Sequence, residues 1–141
     1  MAKARILVAD DHALFRKGVM SLLRHAAGFT VVGEAGDGGE AVAKAQGLRP
    51  DVVLMDLVMP KMDGIEAIRQ IKERLPDMRI LVLTTFAGED KILPAIKAGA
   101  LGYQLKDSGP EDLIEAIQEA HRGETSLHPV IARKVLQEIA R

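Results

Sequence analysis

The chain has no cysteine and no tryptophan, and it carries only three phenylalanines and one tyrosine in 141 residues. Without thiols there are no disulfides and no thiolate metal sites. With so few rings (Phe15, Phe29, Phe86 and Tyr103), the core must be built from aliphatic side chains. An excess of one charge is also missing. Nineteen Lys and Arg balance twenty Asp and Glu, for a formal net charge of −1. That balance gives no electrostatic footprint for DNA or for an anionic membrane surface. No apolar run approaches a membrane span, and the first residues show no signal-peptide pattern, so a cytoplasmic location is expected. Internal repeats and low-complexity segments are lacking. What is present is 48% hydrophobic residues, enough for the core of one ordinary domain.

The rest of the chain is organised around the stretch from Pro50 to Gly64. Val52, Val53, Leu54 and Met55 form an unbroken apolar run, which fits a strand buried on both faces of a parallel sheet. The run ends in Asp56. Pro60 and the pair Asp63-Gly64 then break the chain before a helical pattern begins. Ligands of open α/β sheets bind at the carboxyl ends of strands, so Asp56 stands where chemistry is expected.

Taken in order, residues 5–9 read as a first buried strand that ends in Asp10 and Asp11, with Asp11 placed to cap the following helix. Leu14, Phe15, Val19, Leu22, Leu23 and Ala26 recur at helical spacing over about 12–27, and Gly28 closes that helix. Residues 29–35 suggest a second strand. A short helix over 38–46 turns Ala41, Val42 and Ala45 inward and is ended by Gly47 and Pro50. After the third strand at 51–56, Ile65, Ile68, Ile71 and Leu75 share a helical face that Pro76 stops. Residues 79–84 form a fourth strand. The helix at 89–98 contains Pro94 and so must start late or bend. Residues 101–106 form a fifth strand, and Pro110 opens a helix that runs to about His121, with Leu113, Ile114, Ile117 and Ala120 inward.

This alternation predicts an α/β fold, a doubly wound five-stranded parallel sheet with helices on both faces. We divide the chain into residues 1–123 and a tail, 124–141. In the tail, Ala132, Val135, Leu136 and Ile139 mark one more amphipathic helix. It serves either as a connector to a further domain or as a helix docked on its own domain.

Three carboxylates end two strands: Asp10 and Asp11 on the first, Asp56 on the third. If strand order reverses between those strands, all three meet at the switch point. Clustered carboxylates repel unless a cation joins them, and an oxygen-only set of this size suits Mg²⁺. Taken singly, each has a plainer use, as helix cap or turn residue. Thr84 ends the fourth strand and Lys106 the fifth, at the same edge as Asp56. An acidic cluster, a hydroxyl and a lysine would together surround an anionic phosphoryl group. A β-branched strand residue and a solvated loop lysine are the plainer readings of these two.

The chain resembles the response-regulator receiver domains of two-component signalling. The resemblance is carried by residues 8–12 with Asp10-Asp11-His12, by residues 54–64 from Leu54 through Asp56 and Pro60 to Gly64, by Leu83-Thr84, and by residues 95–106 ending in Lys106. Residues 97–103 and the Leu127-His128-Pro129 tail look most like regulators that carry a LuxR-type helix-turn-helix (NarL/FixJ-like) output domain. The resemblance implies a flavodoxin-like strand order 2-1-3-4-5. It implies that Asp56 accepts a phosphoryl group from a sensor histidine kinase, and that Asp11, Asp56 and the backbone carbonyl of Val58 ligate Mg²⁺, with Asp10 acting mostly through metal-bound water. Lys106 would pair with the phosphate, Thr84 would move to hydrogen-bond it, and Tyr103 would change rotamer in step. Without the resemblance, Tyr103 reads as a half-buried strand aromatic. The implied protein is a switch rather than an enzyme. It would dimerise on phosphorylation through a face near the helices at 89–98 or 110–122, and reach DNA only through a separate output domain.

Two features depart from the common receiver pattern. Asp107 follows Lys106 where many receivers have a proline, so no cis bond is expected there. Val58 and Phe86 stand two residues beyond Asp56 and Thr84 and flank the reactive centre. Competing readings are an aspartate-nucleophile phosphatase, which would want a second aspartate where Val58 stands, a flavodoxin-like binding module without phosphoryl chemistry, and direct DNA binding by this chain, against which the charge balance argues.

Overall fold

The computed structural model describes residues 3–85 and 89–141. Phe86, one of the two residues expected beside the reactive centre, lies outside them. The strands are β1 (Ala4–Ala9), β2 (Phe29–Ala35), β3 (Val52–Met55), β4 (Arg79–Thr84) and β5 (Gly102–Leu105). The helices are α1 (Ala13–His25), α2 (Gly38–Leu48), α3 (Gly64–Arg74), α4 (Ile92–Ala98), α5 (Pro110–His121) and α6 (Pro129–Ile139). All strand pairs are parallel, in the order β2-β1-β3-β4-β5. The expected doubly wound order is therefore observed, and the switch point falls between β1 and β3.

The apolar runs split by parity, as side chains on a pleated strand must. Ile6, Val8, Val52, Leu54, Leu81 and Leu83 face α1 and α5. Leu7, Ala9, Val53, Met55, Ile80 and Val82 face α2, α3 and α4. With helices on both faces, β3 is buried along its whole length, which is why its sequence is a continuous apolar run.

Several local expectations are corrected. Asp11 does not cap α1: the N-cap is His12, no side chain caps it, and the Asp10 carboxylate instead accepts from the His12 N–H at 2.8 Å. Leu14 lies on the solvent side of α1, 89% exposed. That helix ends at His25 with Ala26 as its cap, and Gly28 supplies the positive φ of 96° in the turn beyond. Gly47 does not end α2; the helix continues to Leu48 and closes on Arg49 in the left-handed region. Pro94 sits in the first turn of α4, which starts late after a 3-10 turn at Glu89–Lys91. In α6 the buried residue is Ile131, while Leu136 and Ile139 are exposed. That helix docks on its own domain: Ile131 joins the core that contains Ile92 and Ala95 of α4, and Val135 packs against it.

Candidate phosphoacceptor site

The carboxyl ends of β1 and β3 deliver the acidic residues. The ladder continues one residue past each strand. The Asp10 N–H donates to the Ala35 carbonyl at 2.9 Å, and the Asp56 N–H donates to the Ala9 carbonyl at 3.0 Å. Both side chains are held in the interior, with Asp10 2% and Asp56 4% exposed. Asp11 is exposed at the rim. Oxygens of Asp10, Asp11 and Asp56 and a ring nitrogen of His12 all lie within 4.8 Å of one another.

Lys106 reaches in from the end of β5. Its Nζ lies 2.6 Å from Asp10 Oδ2 and 3.2 Å from Asp56 Oδ2, and 4.5 Å above the centroid of the Phe15 ring on α1. Phe15 covers the lysine on one side, which shields its charge from water and strengthens the pairing. Thr84 is buried, and its carbonyl accepts from the Lys106 N–H at 2.7 Å, so these two residues share the sheet edge that holds Asp56. The ring of Tyr103 is fully buried in the core. Burial, and after it the negative charges of Asp56 and Asp90, push its phenol pKa up to about 12.

The loop after β3 is folded tightly under the site. The Gly64 N–H donates to the Leu57 carbonyl at 2.8 Å, and a Cβ at Gly64 would stand 2.1 Å from the Asp56 carbonyl oxygen. Only glycine allows that approach. Asp63 caps α3 by accepting from the Glu66 N–H at 2.9 Å. Val58 lies on this loop and is 54% exposed. The peptide between Lys106 and Asp107 is trans.

The electrostatics are unbalanced. Three carboxylates are offset by one ammonium. The pKa of Asp56 is raised above the ordinary carboxylate value, chiefly by burial and further by the Asp10 carboxylate. Lys106 and the Leu57 N–H, which donates to Asp56 Oδ1 at 2.8 Å, pull the other way. A pocket left two charges negative and lined by oxygens can hold a divalent metal. The donor set thus fits a hard divalent cation.

A protein-family model for the response regulator receiver domain matches residues 6–118. The chain belongs to this family. It is 47% identical over 135 residues to the transcriptional regulatory protein LiaR of Bacillus subtilis, covering 96% of this chain and 64% of LiaR. It is 45% identical over 139 residues to the B. subtilis transcriptional regulatory protein YxjL, covering 99% of this chain and 64% of that relative. The chain therefore spans just under two thirds of the length of these relatives. Among solved structures, a LuxR-family two-component response regulator from Aurantimonas sp. matches with a TM-score of 0.92 at 38% identity, over 99% of this chain and all of that one. The signal receiver domain of NarL from Mycobacterium tuberculosis matches with a TM-score of 0.84 at 34% identity, over 88% of this chain and all of that one. The flavodoxin-like receiver fold and the LuxR-type kinship are thereby established.

Sequence reasoning brought Asp10, Asp11, Asp56, Thr84 and Lys106 to one sheet edge, and the structure places them there. It gave no role to His12, whose Nδ1 lies 3.3 Å from both Asp10 Oδ1 and Asp11 Oδ1, nor to Phe15 as the cover of Lys106. Adjacency to two acids was the available signal for His12. None existed for Phe15, because α1 and β5 meet only in the fold.

Proposed function

We propose that this receiver domain is a phosphorylation-dependent switch in which Asp56 is the phosphoacceptor. The observation that carries the reading is a buried carboxylate at the switch point, 3.2 Å from a lysine that is itself bound to a second buried carboxylate. An Asp56 oxygen attacks the phosphorus of a kinase phosphohistidine. The P–O bond forms as the P–N bond breaks, and the departing imidazole keeps the electron pair and takes up a proton. Lys106 pairs with the oxygens of the transferred group. Thr84 donates its hydroxyl to one of them, and Tyr103 shifts in step. Asp11, Asp56 and the Val58 carbonyl would hold Mg²⁺, with Asp10 one water removed; the ion's chemistry here is to offset charge on the transferring oxygens.

Residues 1–123 act as the receiver unit, and 124–141 as linker and final helix. The partner is a sensor histidine kinase, and the setting is cytoplasmic. No helix among the described residues is long and apolar enough to cross a membrane. The chain turns over no separate substrate; its only chemistry is on itself. Two longer relatives, LiaR and YxjL, are described as transcriptional regulatory proteins, which supports DNA control through a further domain. The modified domain pairs with a second copy through a face near α4 or α5.

The test is intact-protein mass spectrometry with acetyl phosphate and Mg²⁺, with light scattering on the same samples. One phosphoryl mass is expected on the wild type and none on Asp56→Asn, with the mass in solution rising only in the wild type. Equal incorporation into Asp56→Asn would remove Asp56 as acceptor.

A further inference from the structure

His12 belongs to the acid pocket but has no part in phosphoryl transfer as described above. It is the N-cap residue of α1, yet its side chain caps nothing. The ring stands instead against the two acids that precede it, with Nδ1 3.3 Å from Asp10 Oδ1 and 3.3 Å from Asp11 Oδ1. Both separations are longer than a charge-assisted hydrogen bond of about 2.7–2.9 Å, so proton donation from the ring does not account for them. The surrounding oxygens divide into two sets. Lys106 holds Asp10 Oδ2 at 2.6 Å and Asp56 Oδ2 at 3.2 Å, and the Leu57 N–H holds Asp56 Oδ1 at 2.8 Å. Asp10 Oδ1 accepts from the His12 N–H at 2.8 Å, which leaves it a lone pair, and among the described residues Asp11 Oδ1 meets only the ring. Two oxygens and a nitrogen from consecutive residues therefore turn free lone pairs to one point at the rim.

We propose that Asp10 Oδ1, Asp11 Oδ1 and His12 Nδ1 form a site for Zn²⁺, and that this chain takes that ion in preference to Mg²⁺. Spacing carries the assignment. Ligands at the corners of a tetrahedron with bonds of about 2.0 Å stand about 3.3 Å apart, which is the separation of the ring nitrogen from both oxygens. An octahedron with bonds of about 2.1 Å, as Mg²⁺ demands, needs adjacent ligands about 3.0 Å apart. Ligand type points the same way, since imidazole suits zinc, whereas Mg²⁺ keeps to oxygen and to its waters. Charge agrees as well, because two carboxylates and a neutral imidazole balance a divalent ion. The His12 side chain is 67% exposed, so its other ring nitrogen keeps a proton in water while Nδ1 binds. Lys106 need not move, because it holds the other oxygen of Asp10. Three protein donors leave one position open to water. Asp11 is also the residue assigned above to Mg²⁺, so the two ions exclude each other and zinc withholds the ion that phosphoryl uptake needs. That exclusion rests on the reading of Asp56 as phosphoacceptor; the zinc ligands do not.

The experiment uses the full chain, stripped with EDTA and dialysed, in calorimetric titrations with zinc chloride and, separately, with magnesium chloride. One Zn²⁺ per chain is expected, bound about a hundredfold more tightly than Mg²⁺. His12→Gln should lose about tenfold or more of the zinc affinity and stay within about twofold for Mg²⁺. On the wild type, nitrogen-15 spectra of the imidazole rings should show the zinc-induced shift at Nδ1 of His12, with His25, His121 and His128 unmoved. That readout needs no variant. A zinc affinity no better than that for Mg²⁺, an equal loss of both ions in His12→Gln, or a shift at another histidine with none at His12 overturns the proposal. Mass spectrometry with acetyl phosphate and Mg²⁺ alone separates the two levels. No phosphoryl mass there removes the phosphoacceptor reading and leaves the zinc ligands in place. If that mass forms, adding equimolar Zn²⁺ should lower it severalfold; an undiminished mass overturns the exclusion.

Discussion

Replacing Asp56 by asparagine should make the metal-free protein more stable. The charged oxygens of Asp10, Asp11 and Asp56 lie within 4.8 Å of one another. At an effective dielectric of about 20, each like-charge pair at that distance costs roughly 3.5 kcal/mol or more. Lys106, 3.2 Å from Asp56, returns only about 5 kcal/mol by the same measure. With the repulsion from Asp11 screened at the rim, the charge interactions roughly cancel, and the largest penalty is the burial of the charge itself. The asparagine amide would keep the shape of the side chain and could still accept from the Leu57 N–H. Lys106 would keep its 2.6 Å partner in Asp10, so no cation is stranded. A gain of about 1–2 kcal/mol corresponds to a rise of roughly 3–8 °C in Tm for a domain of this size. Circular-dichroism melts in EDTA and in excess Mg²⁺ provide the assay.

The sign with pH follows from the raised pKa of Asp56. On acidification the folded wild type takes up a proton at Asp56 before the unfolded chain does. The wild type thus sheds its penalty as pH falls through the folded value, and the gap to Asp56→Asn narrows toward the ordinary carboxylate pKa of 3.8. Mg²⁺ should stabilise the wild type and do little for the variant. An Asp56→Asn protein that melts below the wild type in EDTA, or a wild type indifferent to Mg²⁺, would refute the charge argument.

Gly64→Ala should cost about 2–3 kcal/mol and impair phosphoryl uptake together, because the new methyl meets the Asp56 carbonyl oxygen at 2.1 Å; denaturant melts and mass spectrometry read the two effects. At Glu34 the pKa is lowered, first by its hydrogen bond to Arg16, at 2.6 Å, with Lys17 adding to it. Its stabilisation is therefore full above the unfolded value near 4.5 and is lost as pH falls through the lower folded value. Glu34→Gln should accordingly lose about 0.5–1 kcal/mol at neutral pH and match the wild type in strong acid, in urea titrations run at both pH values.

Most of the sheet could be read from the sequence because each central strand is buried on both faces, which leaves an apolar run with a carboxylate or hydroxyl at its end. Residues 52–56 and 79–84 show this directly. The acid pocket was legible for the same reason, since parallel strands bring their carboxyl ends to one edge and Asp10, Asp11 and Asp56 can only gather there. Helix ends were less legible. Asp11 has the right residue type for a cap, but the Asp10 carboxylate turns back to the His12 N–H first. Gly47 suggested a stop, yet the left-handed residue that closes α2 is Arg49, whose carbonyl accepts from the Arg5 guanidinium, a contact 44 residues away in sequence. In α6 the periodicity of Leu136 and Ile139 was real, but helix position depends on where Ile131 fits, and that is decided by α4 and β5. The pairing of Leu127 with Tyr103 left no signal in sequence, because a single bridge imposes no alternation.

Tyr103 has a further use that follows from the scarcity of aromatic rings. It is the only tyrosine in a chain without tryptophan, it is buried, and after burial the Asp56 charge helps to raise its pKa. Nearly all near-ultraviolet emission of the protein must therefore come from one phenol next to the acid pocket. A cation entering that pocket, or a group attached to it, should change the intensity of this emission with no added dye, giving the wild-type molecule a built-in optical reporter of its own state.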